Sequence, residues 1–294
     1  MSEGDDDLAR AIAAARQQID LVKGDDRLQG LREKYQSLSE FMRGAWHVLE
    51  PRRPLVWGWH IDCILTHLEA VHRGEIQYLL INIPPAHIKT TLANIVFPAW
   101  RWAGGEMPEA RTLAGSYSMP MAKKSAEKSR NIVMSKWYQE IWPEIALKRA
   151  VNSVPRFENT LGGGRYCFST GGPLPGDHCD TAIWDDPLKA SDAMSPRQRE
   201  KAIEYLEESI PSRLIDQLTG AIIIIMQRLH EKDPAGHVLL AEYPDLVHVC
   251  IPAHFDPDRA CVTRWFRDPG SEKGGAGDPA ADGANDRAGG ECPA

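Results

Sequence analysis

Three short stretches carry residue types that chemistry could use, and each follows an apolar run. The first is Ile83-Pro-Pro-Ala-His-Ile-Lys-Thr-Thr91, behind the run Tyr78 to Ile83. A bound phosphate needs backbone N–H groups at a helix start, a lysine for the outer oxygens and a hydroxyl for Mg²⁺. Lys89 and Thr90 (the latter a metal ligand in this reading) supply the last two, within a cradle of Pro85, Ala86, His87, Ile88 and Thr91. The usual pattern has glycines where Ile83 and Ile88 stand, and a Lys-Thr after a strand also begins ordinary helices. The second stretch is Thr181-Ala-Ile-Trp-Asp-Asp-Pro187, about ninety residues downstream. Of two carboxylates at a strand end, one can hold Mg²⁺ through water and the other can orient an attacking water. Asp185 takes the first role and Asp186 the second, although Asp-Asp-Pro is also good turn chemistry. The third is the run Ala221 to Met226, ending in Gln227, Arg228 and His230. Polar groups at the carboxyl end of a parallel strand face the same crevice, where they can sense a phosphate and relay its loss. A strand leaving the core becomes polar in the same way.

Positioning these groups requires a sheet. Residues 8–22 and 26–49 read as helices, with Leu38, Phe41, Met42, Trp46 and Leu49 at three- and four-residue spacing. Pro51 and Pro54 break the chain, and Trp59 to His72 reads as a further helix. Short apolar runs then alternate with amphipathic stretches. Strands are expected over Tyr78 to Ile83, Thr112 to Tyr117, Arg165 to Ser169, Thr181 to Trp184 and Ala221 to Gln227. Helices are expected over Thr90 to Trp102, Ala122 to Lys136 and Pro196 to Ile210. Such alternation predicts an α/β fold, a mostly parallel sheet with helices on both faces and a helical N-terminal extension. The organisation reads as a helical region over 1–50, a domain over 51–267 and a disordered Gly/Ala/Asp-rich tail over 268–294.

Composition narrows the class further. No apolar run approaches the ~20 residues of a membrane span, and the acidic N-terminus lacks the order of a signal peptide. Six scattered cysteines without metal-site spacing suggest reduced thiols in a cytosol. The net charge is −7, but residues 1–26 carry seven acids and three bases and residues 268–294 six acids and two bases. Each end is therefore −4 and residues 27–267 are about +1, a balance that neither supports nor excludes nucleic acid.

At this point the residues match a family. From about Trp59 to His237 the sequence resembles the ATPase domain of large terminase subunits of tailed phages and prophages. The ordered signatures are Trp59 to Asp62, Leu68 to Val71 with Gly74 and Glu75, and Ile81 to Pro85 with Lys89. Gly115 to Ser118, Ala122, Lys123, Ser125 and Arg130 follow. The set ends with Gly171, Gly172 and Gly176, Ile183 to Pro187, and Met226 to His230 with Asp233 and Gly236. No single piece is diagnostic, but the order covers well over half the chain. Several relatives also lack the second loop glycine. The resemblance implies a RecA-like (ASCE) P-loop NTPase that binds ATP and Mg²⁺, assembled as a homo-oligomeric ring on the capsid portal protein. It would work with a small terminase subunit to drive double-stranded DNA inward, in the cytosol of the bacterial host and without membrane. It carries the family roles to Lys89, Thr90, Asp185 and Asp186, a catalytic contribution to Arg228, and the coupling of hydrolysis to movement to Gln227 and His230. Trp59 and His60 match the segment placed near the adenine. Lys123, Lys124, Lys128 and Arg130 share one helix that either faces DNA or is a solvated face.

Three departures stand against this background. Ala86 stands where the family often has arginine, and Gly176-Asp177-His178 where it often has Gly-Arg-Gly. Family-like sequence fades near Thr263 to Pro269, and Asp278, Asp282 and Asp286 lie among glycine and alanine with no strand to hold a metal. The nuclease half is therefore expected to be missing. Two rival readings remain, an inactive prophage remnant and an unrelated RecA-like ATPase of the helicase type.

Overall fold

The computed structural model describes residues 26–253 except Glu242 and Pro244. The helix expected over 8–22 and the tail over 268–294 lie outside the described residues. Residues 26–34 form helix α1 and Leu38–Leu49 form α2. The single helix expected over 26–49 is broken at Ser37, whose hydroxyl accepts from Glu40 N–H and caps α2. A side-chain acceptor at that position satisfies an N–H that the first turn leaves without a partner.

Helix α3 spans Trp59–His72, as its apolar spacing predicts. Strand β1 is Tyr78–Asn82. After the loop, a turn wound as π-helix (Thr91–Val96) runs directly into α4 (Phe97–Trp102). Strand β2 (Arg111–Ser116), α5 (Met119–Met134) and α6 (Lys136–Ile141) follow. Then come β3 (Leu147–Ser153), β4 (Arg156–Asn159), β5 (Gly164–Ser169) and β6 (Thr181–Asp185). Helix α7 (Pro196–Glu204) continues as a π-turn, Tyr205–Ser209. Strand β7 (Ala221–Met226), α8 (Pro234–Leu240) and β8 (Leu246–Cys250) complete the order.

The eight strands form one sheet in the order β3-β4-β5-β2-β6-β7-β1-β8. All neighbours are parallel except the pairs β3–β4 and β4–β5, which build an antiparallel edge. Strand β7 lies between β1, which leads to the loop, and β6, which carries the paired acids. This is the RecA-like arrangement, a mostly parallel sheet with helices on both faces. Every residue of β6 and β7 is buried, which is why those runs read as continuously apolar.

Alternate residues along the central strands serve two cores. Leu79, Ile81, Ile183, Ile223 and Ile225 face the larger one, where α2 and α3 pack together with α4, α5 and α6. Leu80, Trp184, Ile222 and Ile224 face the smaller one with α7, the turn after it and α8. The missed elements β3, β4, α6, α8 and β8 are short. The antiparallel edge strands have at most half their residues buried, so no long apolar run announced them.

Candidate functional site

The loop leaves β1 under constraint from its neighbours. Ile83 N–H donates to Met226 O of β7 at 3.2 Å, and Ile251 N–H donates to Asn82 O at 2.8 Å. The Asn82 side chain completes the tie, donating to Met226 O at 3.3 Å and accepting from His248 Nε2 at 2.9 Å. Three strand ends are thus pinned beneath the loop. Beyond Pro84 and Pro85 the backbone enters the left-handed region at Ala86 (φ 68°) and Ile88 (φ 51°). Ile88 is the position of the usual second glycine, and a β-branched residue there is strained. Ile83, the other expected glycine position, is not among the positive-φ residues. Lys89, only 7% exposed, and Thr90 begin the helix, which continues into the π-wound turn at Thr91.

Across the crevice, β6 ends in Asp185, and Asp186 turns the chain with φ 45°. Asp186 is held by N–H donation to Ile225 O at 2.9 Å and by Tyr117 N–H at 3.0 Å. Its carboxylate meets Lys89 Nζ at 2.7 Å, so the loop lysine and the second acid, 97 residues apart, form one buried-to-half-buried ion pair. Asp185 is fully buried. Desolvation first, and the Asp186 charge second, push its carboxyl up to about 7, while Thr90, Asn94 and Lys89 act in the opposite direction. Its Oδ2 accepts from Asn94 Nδ2 at 3.2 Å, whereas Oδ1 is buried without a partner.

That orphaned oxygen tests the fit of a metal. A carboxylate oxygen with unused lone pairs, beside a threonine hydroxyl, is a hard-oxygen donor set of the kind Mg²⁺ completes with water and phosphate. Among the described residues no group of three or more His, Cys, Asp or Glu could hold a metal by itself. The residues present would fit Mg²⁺ as a partial set of oxygen donors, with water or a bound ligand supplying the rest.

The other expected residues divide. His60 reaches the loop: its ring meets that of His87 edge-on with centroids 5.4 Å apart, and Trp59 meets His60 edge-on in turn at 6.3 Å. His87 Nδ1–H is fixed by donation to Pro85 O at 2.9 Å. Burial first, then the His87 charge, lowers the His60 pKa. Gln227, Arg228 and His230 leave β7 at the same edge, but Arg228 does not join Lys89, Asp185 and Asp186. Its guanidinium contacts the buried carboxylate of Asp233 at 3.2 Å and the carbonyls of His230 and Glu231. Asp233 also accepts from Leu229 N–H and, as the cap of α8, from Gly236 N–H. A Cβ on Gly236 would lie 1.9 Å from Glu231 O, so only glycine fits that close turn. Arg228 thereby shapes the turn that carries His230.

Of the four basic residues on α5, Lys123 and Lys124 are exposed. Lys128 pairs with Glu50 at 3.4 Å and Arg130 donates to Asn152 at 2.6 Å. Asp177 is not a bare negative charge. Arg156 of β4 holds it at 2.9 Å, bringing an arginine to this edge that the sequence alone did not place there. Two buried polar residues behind the acids, Asn94 and Arg165, also escaped the sequence reading.

Comparison with protein-family models and with curated proteins finds no match. Solved structures do share the fold. The HK97 bacteriophage large terminase superposes with a TM-score of 0.54 at 13% identity, over 78% of this chain and 46% of that one. This chain thus spans about half the length of the HK97 protein. Looser likenesses are the Thermus phage P74-26 large terminase ATPase domain (TM-score 0.47, 14% identity, 70% of this chain and 84% of that one) and the N-terminal domain of the bacteriophage phi29 DNA packaging ATPase (0.40, 15%, 64% and 95%). At 13% identity the likeness to the HK97 protein is one of fold.

Proposed function

We propose that this chain is the ATP-binding and hydrolysing motor domain of a phage large terminase subunit. The observation that carries the reading is the meeting of Lys89, Thr90, Asp185 and Asp186 at the carboxyl ends of β1 and β6, in the order the sequence resemblance requires. In this reading the loop N–H groups and Lys89 bind the outer phosphates, and Lys89 exchanges its Asp186 partner for them. Thr90 and Asp185 would hold Mg²⁺, which when bound neutralises charge on the phosphates. Asp186, released from the lysine, orients the attacking water and accepts its proton. Trp59 and His60 border the loop where a base or ribose would lie. Gln227 and His230 read the state of the outer phosphate through the turn that Arg228 and Asp233 brace.

Double-stranded DNA, a portal protein, a small terminase subunit and a ring of like subunits are the partners this reading implies. Among the described residues no helix is long and apolar enough to cross a membrane. The test is steady-state ATP turnover by the purified chain, with and without linear double-stranded DNA and without strand separation. Turnover that DNA raises is the expected result. Binding without turnover would favour the inactive-remnant reading, and ATP-dependent strand separation would favour a helicase.

A further inference from the structure

Arg165 of β5 is 1% exposed, and a guanidinium does not shed its proton in a protein. The fold therefore buries a full positive charge behind the paired acids. Its Nη2 donates to Asn94 O at 3.0 Å and to Asn94 Oδ1 at 2.7 Å, its Nη1 meets Cys167 Sγ at 3.6 Å, and its Nε has no partner. Asn94 is itself fully buried, just inside the helix that begins at the loop, and its Nδ2 is the group that reaches Asp185 Oδ2.

The chemistry of the three side chains leaves one arrangement. A guanidinium has donors only, so it is satisfied by the oxygen of the Asn94 amide and not by the nitrogen. With the oxygen committed, only N–H is left to face Asp185. The amide is thus locked as a donor to Oδ2 of Asp185, while Oδ1 is buried without a partner. Stability alone does not call for such a device, since a buried charged group is often replaced without loss by an apolar side chain of similar volume. We propose that Arg165 and Asn94 are positioning residues, the first fixing the amide of the second so that Asp185 presents a free Oδ1 to nucleotide-bound Mg²⁺. This rests on the nucleotide-site reading above.

The test measures binding. A fluorescent methylanthraniloyl-ATP is titrated into the full chain in EDTA and again in excess Mg²⁺, and the gain in affinity on adding Mg²⁺ is compared across variants. Asn94→Asp keeps the acceptor that Arg165 needs but has no donor for Asp185. Arg165→Met removes the charge and frees the amide to turn. Both should bind as the parent does in EDTA, within about twofold, and lose about tenfold of the Mg²⁺ gain, the size of one hydrogen bond to a charged group. If Arg165→Met does not fold, as judged by circular dichroism, the near-isosteric Asn94→Asp decides. A parental Mg²⁺ gain in the folded variants overturns the positioning role and leaves the nucleotide site standing. Equal losses in EDTA and in Mg²⁺ show a structural role only and also overturn it. A parent that binds no nucleotide in either buffer overturns the site reading and this proposal together.

Discussion

Two regions of this molecule spend their sequence in opposite ways. Between the N-terminal helices and α6, Tyr35, Phe41, Trp137, Tyr138 and Trp142 pack ring against ring at 5.1–6.4 Å, mostly edge-on or tilted. None of these five has a positive φ. At the carboxyl ends of β1 and β6, Ala86, Ile88 and Asp186 account for three of the five non-glycine residues with positive φ among the described residues. The same place holds a buried acid beside a second acid, with one oxygen unpartnered. The aromatic region supplies packing free energy, and the crevice spends some of it on a backbone and charges poised for something not made of protein. Strain concentrated at one end of a sheet is an argument for a ligand there.

The comparison is broken most directly by removing its stable half. Phe41→Ala should destabilise the fold by about 3–5 kcal/mol, as lost ring contacts and a cavity at a site that cannot collapse. Urea unfolding would measure it, and nucleotide affinity of the folded fraction should not change. A cost below about 1 kcal/mol would mean the cluster carries no stability.

In the crevice the sign reverses. The carboxyl of Asp185 sits at about 7, above its unfolded value near 4. An acid with a raised folded pKa binds its proton more tightly when folded. Its contribution therefore favours folding at low pH and is lost as pH rises from about 4 through about 7, leaving a net cost at pH 8. Asp185→Asn should gain about 2–4 kcal/mol over the parent at pH 8, shrinking towards zero near pH 4. Paired denaturation curves at the two pH values would show this, and a gain independent of pH would contradict the assignment.

The smallest effect uses one substitution in both regions. Ala86→Gly relieves a left-handed alanine on an exposed loop and should stabilise by about 0.5–1 kcal/mol. Ala45→Gly, buried within α2, should cost about 1 kcal/mol. Equal signs in the two melts would remove backbone strain from the account.

What was legible follows from where information is local. Helix α3 and the central strands were readable because an apolar face or a fully buried run writes its period into adjacent residues. Lys89 and Thr90 follow the β1 run by one loop, and Asp185 and Asp186 close the β6 run, so the sequence could single them out as candidates, and the fold brings Lys89 to Asp186. The break at Ser37 was hidden within a continuous apolar pattern, and β3 and β4 have too few buried positions to show one. Asn94, Arg165 and the Arg156–Asp177 pair were not readable at all. A buried asparagine inside an apolar helix, or an arginine in a strand, gains meaning only from a partner 71 or 21 residues away, which no local pattern records.

The central claim is that Lys89 faces the phosphates of a bound nucleotide. A thermal-shift titration with Mg-ATP on the parent and on Lys89→Ala tests it with folding as the readout. At a hundred times its Kd a ligand stabilises the folded state by about 2.7 kcal/mol, an upward shift of several degrees for a domain of this size. The parent should show that shift, and Lys89→Ala should melt cooperatively with little or none of it, having lost the cation that replaces Asp186 with phosphate. An equal shift in the two proteins would take Lys89 out of the site and the nucleotide reading with it.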